Sequence, residues 1–324
     1  MAPVDKAKEI MNLYGKEKLP FLFILDFDLQ KPIVLPLEEV RDSEILYDIR
    51  GKTNCFRPQG KNKNPEFKKY PISFEQYRSA FDQVQHQLRE GNTYLLNLAF
   101  PTRIETDFSL SDFYHHSTAK FKLLYKDFFV VFSPEIFIEI EDGIIASYPM
   151  KGTIDASLPD AERTIMTDEK ETAEHATIVD LIRNDLSMVA REVEVERYRY
   201  IDRIKTNEKE LLQVSSKIVG KLASNYFESI GSILIQLLPA GSVTGAPKSK
   251  TVQIIKAVEQ FDRNYYTGVF GYFDGNHLES GVMIRFIEKN NDILYYKSGG
   301  GITALSSVES EYSEMIDKVY VPIV

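Results

Sequence analysis

Residues 133–153, SPEIFIEIEDGIIASYPMKGT, decide how this chain folds around its most reactive side chains. Two short apolar runs, 136–140 and 144–148, flank an Asp-Gly pair, and Asp-Gly between strand-like segments predicts a β-hairpin. The hairpin would bring Lys151, which follows the second run, back towards Glu135, which precedes the first. An acid and an amine facing one cavity suit acid–base or covalent chemistry, although solvated charges at strand ends give the same pattern.

The composition predicts a folded protein with a substantial core. The 324 residues are 43% hydrophobic and 12% aromatic, which argues against disorder. There are 39 basic and 48 acidic residues, a balance that argues against a nucleic-acid partner. Cys55 is the only cysteine, which excludes an intrachain disulfide and a cysteine-rich metal site. The charged N-terminus lacks a signal-peptide core and no run is long enough to span a membrane, so we expect a cytoplasmic protein without a membrane partner.

Periodicity predicts an α+β fold with mixed or antiparallel sheets and helices on their outer faces. Ser73 and Gln76 have capping-box spacing at the start of one helix, and a longer helical region begins near Asp168. The lysine- and arginine-rich segment 51–70 is interpreted as a solvated loop. Strands are expected at 93–100, 128–132, 136–140, 144–148, 193–201, 267–273, 280–287 and 292–296.

Carboxylates at helical spacing suggest a metal site. Two predicted helices each carry two glutamates three residues apart: Glu171 and Glu174, and Glu311 and Glu314. Such spacing puts each pair on one helix face, and two such faces across a cleft would offer hard oxygen ligands that suit Mg²⁺. A di-iron bundle would need Glu-x-x-His, and Thr172 stands three residues before His175. Solvated glutamates on two exposed helices remain the alternative.

Two glycine-rich segments, 241–248 and 299–301, suggest close backbone approach to a ligand. GSVTGAPK at 241–248 is not a P-loop, because its glycine spacing is short and Pro247 lacks a backbone donor. It predicts a loop that enters a helix at Pro247, where free N–H groups and the helix dipole favour an anion. Arg285 lies in the apolar strand 280–287 and needs an acidic partner, from the protein or from a substrate.

Together these segments resemble the chorismate-binding enzyme family. The similar segments occur in the family's order over residues 73–319: SPE at 133–135, PMKGT at 149–153, VDLIRND at 179–185, GSVTGAPK at 241–248, TGVFGY at 267–272, MIR at 283–285, GGGI at 299–302 and ESEYSE at 309–314. The resemblance implies one catalytic domain over 1–324, with a shortened N-terminal portion at 1–72 and the motif-bearing core at 73–324. It also implies two packed mixed or antiparallel β-sheets with outer helices.

Within the family, Lys151 makes the chain similar to component I of the aminodeoxychorismate synthases, because anthranilate synthases usually have alanine at that place. The resemblance implies Mg²⁺-dependent conversion of chorismate and ammonia to 4-amino-4-deoxychorismate, for 4-aminobenzoate and folate biosynthesis. A glutamine amidotransferase subunit would supply the ammonia. The alternatives are anthranilate synthase component I, isochorismate synthase, and a non-catalytic binder of a chorismate-like metabolite.

The resemblance also implies roles for single residues. Lys151 would be the nucleophile at ring C2, and desolvation would favour its neutral form. Glu135 would protonate the departing C4 hydroxyl and later take a proton from ammonia. Mg²⁺ would be held by Glu174 and Glu314, with Glu171 and Glu311 in support. The substrate would contact Arg285, Tyr272, Ser242, Thr244, Gly245, Gly299, Gly300 and Gly301. Gln213 departs from the family, standing where many members have a histidine, and it cannot shuttle protons.

Overall fold

The computed structural model describes residues 2–40, 44–55, 65–205 and 210–323. The strands in these ranges are β1 (Phe21–Leu25), β2 (Ile33–Pro36), β3 (Ile45–Ile49), β4 (Lys52–Thr53), β5 (Phe67–Tyr70), β6 (Leu95–Thr106), β7 (Phe121–Tyr125), β8 (Phe129–Ser133), β9 (Ile136–Glu141), β10 (Ile144–Ser147), β11 (Met150–Asp155), β12 (Arg191–Lys205), β13 (Glu210–Lys221), β14 (Gly245–Ala246), β15 (Val269–Phe273), β16 (Leu278–Val282), β17 (Phe286–Asn290) and β18 (Ile293–Ile302). The helices are α1 (Pro3–Lys16), α2 (Leu37–Val40), α3 (Phe74–Arg89), α4 (Leu110–His116), α5 (Ala161–Thr167), α6 (Glu169–Ser187), α7 (Ile230–Leu237), α8 (Lys248–Val258) and α9 (Val308–Asp317).

The strands form two antiparallel sheets. The pairing path of the first is β11-β13-β10-β9-β16-β15-β1-β2, with β12 on the free side of β13. The path of the second is β14-β6-β18-β17-β8-β7-β3-β4, with β5 beside β6. Buried residues of both sheets meet in one cluster, in which Phe270 of the first sheet contacts Phe121 of the second. The predicted α+β architecture of two packed sheets is therefore confirmed.

Helices cover the outward faces of both sheets. The first sheet packs against α1, α6 and α7 through a cluster that contains Phe23, Ile182 and Leu234. The second packs against α3, α8 and α9 through Leu98 and Met315. The capping box predicted at the start of α3 is present, because Ser73 and Gln76 exchange side-chain and backbone hydrogen bonds. No helix in the described residues is both long and apolar enough to cross a membrane.

The hairpin predicted for residues 133–153 is present as β9 and β10. Ile145 pairs with Ile140, and the turn residues Asp142 and Gly143 have φ of 50° and 78°. Positive φ at both turn positions is what a two-residue hairpin turn requires, and Gly provides it without strain. After the hairpin, β10 and β11 follow each other along one side of β13. Lys151, in β11, therefore lies beyond the end of the hairpin on the same side of β13.

Three sequence expectations differ from the structure. Residues 280–287 form the end of β16 and the start of β17, which belong to different sheets, and Arg285 lies between them with a φ of 52°. Residues 299–301 are part of β18 rather than a loop. Pro247 precedes the first turn of α8 with extended backbone, and Gly245 already pairs with Leu96 of β6. A strand buried throughout reads as a continuous apolar run, so the sequence could not show a change of sheet.

Other elements had no sequence expectation. They include α1, α4 and β7, which lie in segments left unassigned. The segment 51–70 contains β4 and β5 at its ends, and its residues 56–64 lie outside the described part of the chain. Helix α1 packs so tightly on α7 that a Cβ on Gly231 would lie 2.3 Å from the Lys8 carbonyl oxygen. That contact depends on a single glycine. One residue does not create the hydrophobic periodicity from which a helix is predicted.

A buried ion pair joins α8 to the second sheet. The side chains of Arg263 and Glu259 are 2% and 1% exposed, and Arg263 Nη2 lies 2.6 Å from Glu259 Oε1. Glu259 Oε1 also accepts a hydrogen bond from Ala99 N, while Arg263 donates to the carbonyl oxygens of Val243 and Asn97. The pair therefore fixes the loop 241–246 against β6.

We predict that Glu259→Gln lowers the free energy of unfolding by about 3–5 kcal/mol, because it leaves the Arg263 charge buried without a counter-charge. Urea denaturation at constant m-value measures this. Glu44→Gln is the matched control, because Glu44 pairs with Lys126 on the surface with both side chains 60% exposed. The control should lose less than about 1 kcal/mol. Equal losses in the two variants would contradict the structural role of the buried pair.

Candidate active site

The candidate site lies where the two sheets are joined by crossing chain segments. Glu135 lies between β8 of the second sheet and β9 of the first, and Arg285 lies between β16 and β17, which cross in the opposite direction. The crossings are hydrogen-bonded to each other, because Val282 N donates to Glu135 O and Phe132 N donates to Arg285 O. The fold therefore holds an acid and a guanidinium side by side.

Lys151 faces this region from β11. Its Nζ lies 3.4 Å from Glu174 Oε2 of α6, and the two side chains are 24% and 8% exposed. A Cβ on Gly301 would lie 3.2 Å from Lys151 Nζ, so the glycine leaves room for the amine. The positive charge of Lys151 also acts on Glu135. The predicted proximity of these two residues is consistent with this coupling.

Glu135 is held in a state suited to proton donation. Burial raises the pKa of its carboxyl above the ordinary value, against the opposing effects of a hydrogen bond from Ser242 Oγ and the charges of Lys151, Arg285 and Lys318. A raised pKa keeps the proton on the acid at higher pH than an exposed glutamate would. Ser242 therefore lies beside Glu135, and its predicted contact with the substrate stays a prediction.

Arg285 is enclosed by aromatic rings. Its guanidinium carbon lies 5.1 Å from the ring centroid of Tyr320, and Tyr296 and Tyr266 interact with it electrostatically. Its Nε is buried and has no hydrogen-bond partner within the described ranges. A desolvated guanidinium with an unused donor is suited to an anionic group of a ligand.

The predicted carboxylate pairs lie on α6 and α9. Glu311 is 2% exposed, and a Cβ on Gly300 would lie 3.2 Å from its Oε2 and 3.7 Å from Oε1 of Glu314. Glu314 pairs with Lys318 at 2.6 Å, and Lys318 also donates to Gly299 O. A Cβ on Gly152 would lie 3.4 Å from Glu171 Oε2. Glycines therefore make room for carboxylates on both helices.

The donor set suits Mg²⁺ in type. Carboxylate oxygens are its preferred protein ligands, and it commonly uses only one or two of them with waters and substrate oxygens. Across residues 2–40, 44–55, 65–205 and 210–323, no three His, Cys, Asp or Glu side chains converge closely enough to hold a metal by themselves. A site that used only Glu174 and Glu314, one from each helix, would need waters and a ligand oxygen to complete it.

Three residues predicted to contact the substrate, Thr244, Gly245 and Tyr272, make contacts within the protein itself. The Thr244 hydroxyl donates to Ala240 O, and a Cβ on Gly245 would lie 1.8 Å from Leu95 O. Tyr272 pairs with Glu279 and has Lys52 Nζ 4.8 Å from its ring centroid. It stands three residues, roughly 10 Å, along β15 from the end next to Arg285. The structure does not bring Tyr272 to Arg285.

Other polar residues near the site were not among the predicted site residues. Tyr266 and Lys318 both interact electrostatically with Arg285, and Tyr266 also with Glu135. His175 Nε2 lies 2.7 Å from Ser216 Oγ, and burial together with the charges of Arg199 and Lys151 lowers the pKa of His175 to about 4. The imidazole is therefore neutral at physiological pH. In the sequence, the only feature that points to His175 is its position next to Glu174.

Gln213 lies on β13 opposite Thr153, and its Nε2 donates to Thr153 Oγ1 at 3.4 Å. The contact is exposed and joins two neighbouring strands. Within the described residues this is a structural hydrogen bond between β11 and β13, next to Lys151.

We predict that Ser242→Ala raises the pKa of the Glu135 carboxyl further, because the lost hydrogen bond favoured the ionised form. ¹³C NMR titration of glutamate-labelled protein measures this, with Glu135→Gln identifying the resonance. Ser229→Ala, whose hydroxyl bonds Tyr226 O outside the site, serves as the control and should leave the titration unchanged. A lower pKa in Ser242→Ala would contradict this account of Glu135.

Known proteins resemble this chain in sequence and in fold. Residues 29–323 match the family described as chorismate binding enzyme. A Haemophilus influenzae protein named "Uncharacterized PabA-like protein" is 52% identical over 318 residues, covering 97% of this chain and 96% of its own length. Anthranilate synthase component 1 of Aquifex aeolicus is 30% identical, over 95% of this chain and 64% of that protein. The menaquinone-specific isochorismate synthase MenF of Escherichia coli has the same fold, with a TM-score of 0.74 at 16% identity over 98% of this chain and 81% of that chain. This chain belongs to the chorismate binding enzyme family.

Proposed function

We propose that the protein converts chorismate and ammonia to 4-amino-4-deoxychorismate and water, with ammonia supplied by a glutamine amidotransferase partner. The observation that carries the proposal is the amine of Lys151 beside Gly301, in a site where burial raises the pKa of the acid, Glu135. A nucleophilic amine at C2 is what distinguishes C4 amination from direct attack of ammonia at C2, which would give anthranilate.

In the proposed reaction, Lys151 is the nucleophile and Glu135 donates and accepts the proton. The neutral amine of Lys151 attacks ring C2, the two conjugated ring double bonds shift, and the C4 hydroxyl leaves as water with the proton of Glu135. Ammonia then attacks C4, both double bonds shift back, and the C2–N bond breaks with its electron pair returning to Lys151. The Glu135 carboxylate takes a proton from the new C4 ammonium group, which restores the starting state of both residues.

Charge complementarity supports chorismate as the substrate. Chorismate carries two carboxylates, and Lys151, Lys318 and Arg285 all act on the region around Glu135. Arg285, with its unused donor, is suited to the enolpyruvyl carboxylate. A magnesium ion held by Glu174 and Glu314, with Glu171 and Glu311 beside them, would neutralise the ring carboxylate and stabilise charge that develops on it.

A second candidate is anthranilate synthesis, which the 30% identity to anthranilate synthase component 1 favours. The two activities differ in product. Purified protein incubated with chorismate, ammonium and Mg²⁺ should form a compound that a downstream lyase converts to 4-aminobenzoate. Anthranilate as the main product would refute C4 amination.

Lys151→Ala should abolish a covalent adduct at residue 151, detected by intact-protein mass spectrometry with chorismate in the absence of ammonia. It should also reduce C4 amination by more than about 10²-fold, because the nucleophile is lost. Lys217→Ala is the control: Lys217 pairs with Glu196 on the outer strands β12 and β13. Wild-type turnover by Lys151→Ala would rule out the nucleophilic role.

Glu314→Gln should weaken Mg²⁺ binding in the presence of chorismate by about tenfold or more, because it removes one charged oxygen ligand. Isothermal titration calorimetry measures the binding without relying on turnover. The control is Glu309→Gln, an exposed position in the first turn of the same helix. Equal Mg²⁺ affinity in both variants would show that Glu314 is not a ligand.

A further inference from the structure

Asn97 is a polar residue of β6 that takes no part in the reaction steps proposed above. It pairs with Gly301 of β18, and residues directly opposite in an antiparallel pair extend their side chains to the same face. A Cβ on Gly301 would meet Lys151 Nζ at 3.2 Å and Leu95 Cδ1 at 3.1 Å. Leu95 and Asn97 share a face because they are two residues apart on one strand. The carboxamide of Asn97 therefore extends towards the side of the sheet where Lys151 lies.

The backbone of Asn97 is fixed on both sides. Its N–H donates to Thr244 O at 2.8 Å, and its carbonyl oxygen accepts a hydrogen bond from Arg263 Nη2 at 2.7 Å. Thr244 belongs to the loop that places Ser242 against Glu135. Asn97 thus connects the loop that contacts Glu135 to Gly301, the glycine next to Lys151.

The side chain of Asn97 has an unused acceptor. Its Oδ1 is buried and has no hydrogen-bond partner among the residues that the structure describes. Leaving a buried acceptor unpaired costs free energy, and such groups in native proteins usually meet a water or a ligand. A ligand that satisfies Oδ1 must donate a hydrogen bond.

The chemistry of the proposed reaction limits which reactant can donate a hydrogen bond to Asn97 Oδ1. The C4 hydroxyl is served by Glu135, and Lys151 Nζ has Glu174 Oε2 as an acceptor. Ammonia is the remaining reactant, and it has three N–H donors and one lone pair. C2 and C4 are two bonds apart on the ring, so a nucleophile that reaches C4 must come close to Lys151.

We propose that Asn97 Oδ1 binds ammonia and turns its lone pair towards C4. This rests on the proposed function and deepens it by naming the binding site of the second substrate. A neutral amide oxygen suits the task better than a carboxylate, because a carboxylate stabilises ammonium, whose lone pair is occupied by a proton. The bond that forms is N–C4, and the proton leaves to Glu135 as described above.

The test measures the KM for ammonium and the KM for chorismate separately. Asn97→Leu keeps the shape of the side chain and removes the acceptor. With free ammonium as the nitrogen source, the KM for ammonium should rise about tenfold, which is the effect of one lost hydrogen bond. The KM for chorismate should stay within about twofold, and the Lys151 adduct should form at the wild-type rate without ammonia, since neither step uses Oδ1.

The matched control is Thr102→Val on the same strand. Thr102 Oγ1 is also buried with no hydrogen-bond partner in the described part of the chain, and it lies five residues from Asn97. Its apolar isostere should change neither KM. A rise in the KM for chorismate equal to that for ammonium, or loss of the Lys151 adduct in Asn97→Leu, would overturn the ammonia site.

Asn97→Asp gives an independent test if the leucine variant folds poorly. The carboxylate should bind ammonium, so kcat should fall at least about tenfold while the KM for total ammonium does not rise. Wild-type kcat and KM in this variant would overturn the proposal. The product of the wild-type protein separates the two claims: anthranilate would refute C4 amination, whereas the ammonium KM of Asn97→Leu still decides the ammonia site.

Discussion

The buried ion pair between Arg263 and Glu259 holds together the parts of the chain that make the site. Glu259 belongs to the end of α8, while Arg263 binds the carbonyl oxygens of Val243 and Asn97. Two charges inside a protein are stable only with several good hydrogen bonds, so the pair fixes the geometry of every group it touches. The loop that places Ser242 beside Glu135 and the backbone of Asn97 are both held by this pair.

The second constraint is the pair of crossings between the sheets. A chain that passes from one packed sheet to another must leave regular pairing at the crossing, and the residues there are free to point into the space between the layers. Glu135 and Arg285 occupy two such crossings, which are bonded to each other through Val282 N and Phe132 N. The positive φ of Arg285 belongs to this connection. Backbone hydrogen bonds between the crossings thus hold two residues of the candidate site in place.

Much of this arrangement could be predicted from the sequence. The hairpin at 136–147 and the capping box at Ser73 depend on local chemistry, so their signals are contained in a few neighbouring residues. The split of residues 280–287 between two sheets leaves no such signal, because the residues on both sides of Arg285, 281–284 and 286–287, are apolar or glycine and are buried or half-buried. Tyr266 and Asn97 were missed for a related reason: Asn97 is placed by its long-range pairing with Gly301, Tyr266 lies in a turn, and neither belongs to a residue pattern that indicates chemistry by itself.

The electrostatics of Glu135 show how cations suited to an anionic ligand can surround an acid whose pKa is nevertheless raised. Lys151, Arg285 and Lys318 favour a dianionic substrate, but each of them also favours the ionised form of Glu135. Burial outweighs their combined effect and raises the pKa of Glu135. A bound dicarboxylate would neutralise the same cations and thereby remove the forces that oppose protonation. In the proposed reaction the substrate would therefore strengthen the acid's hold on its proton until the C4 hydroxyl, the one group that must receive it, is in place.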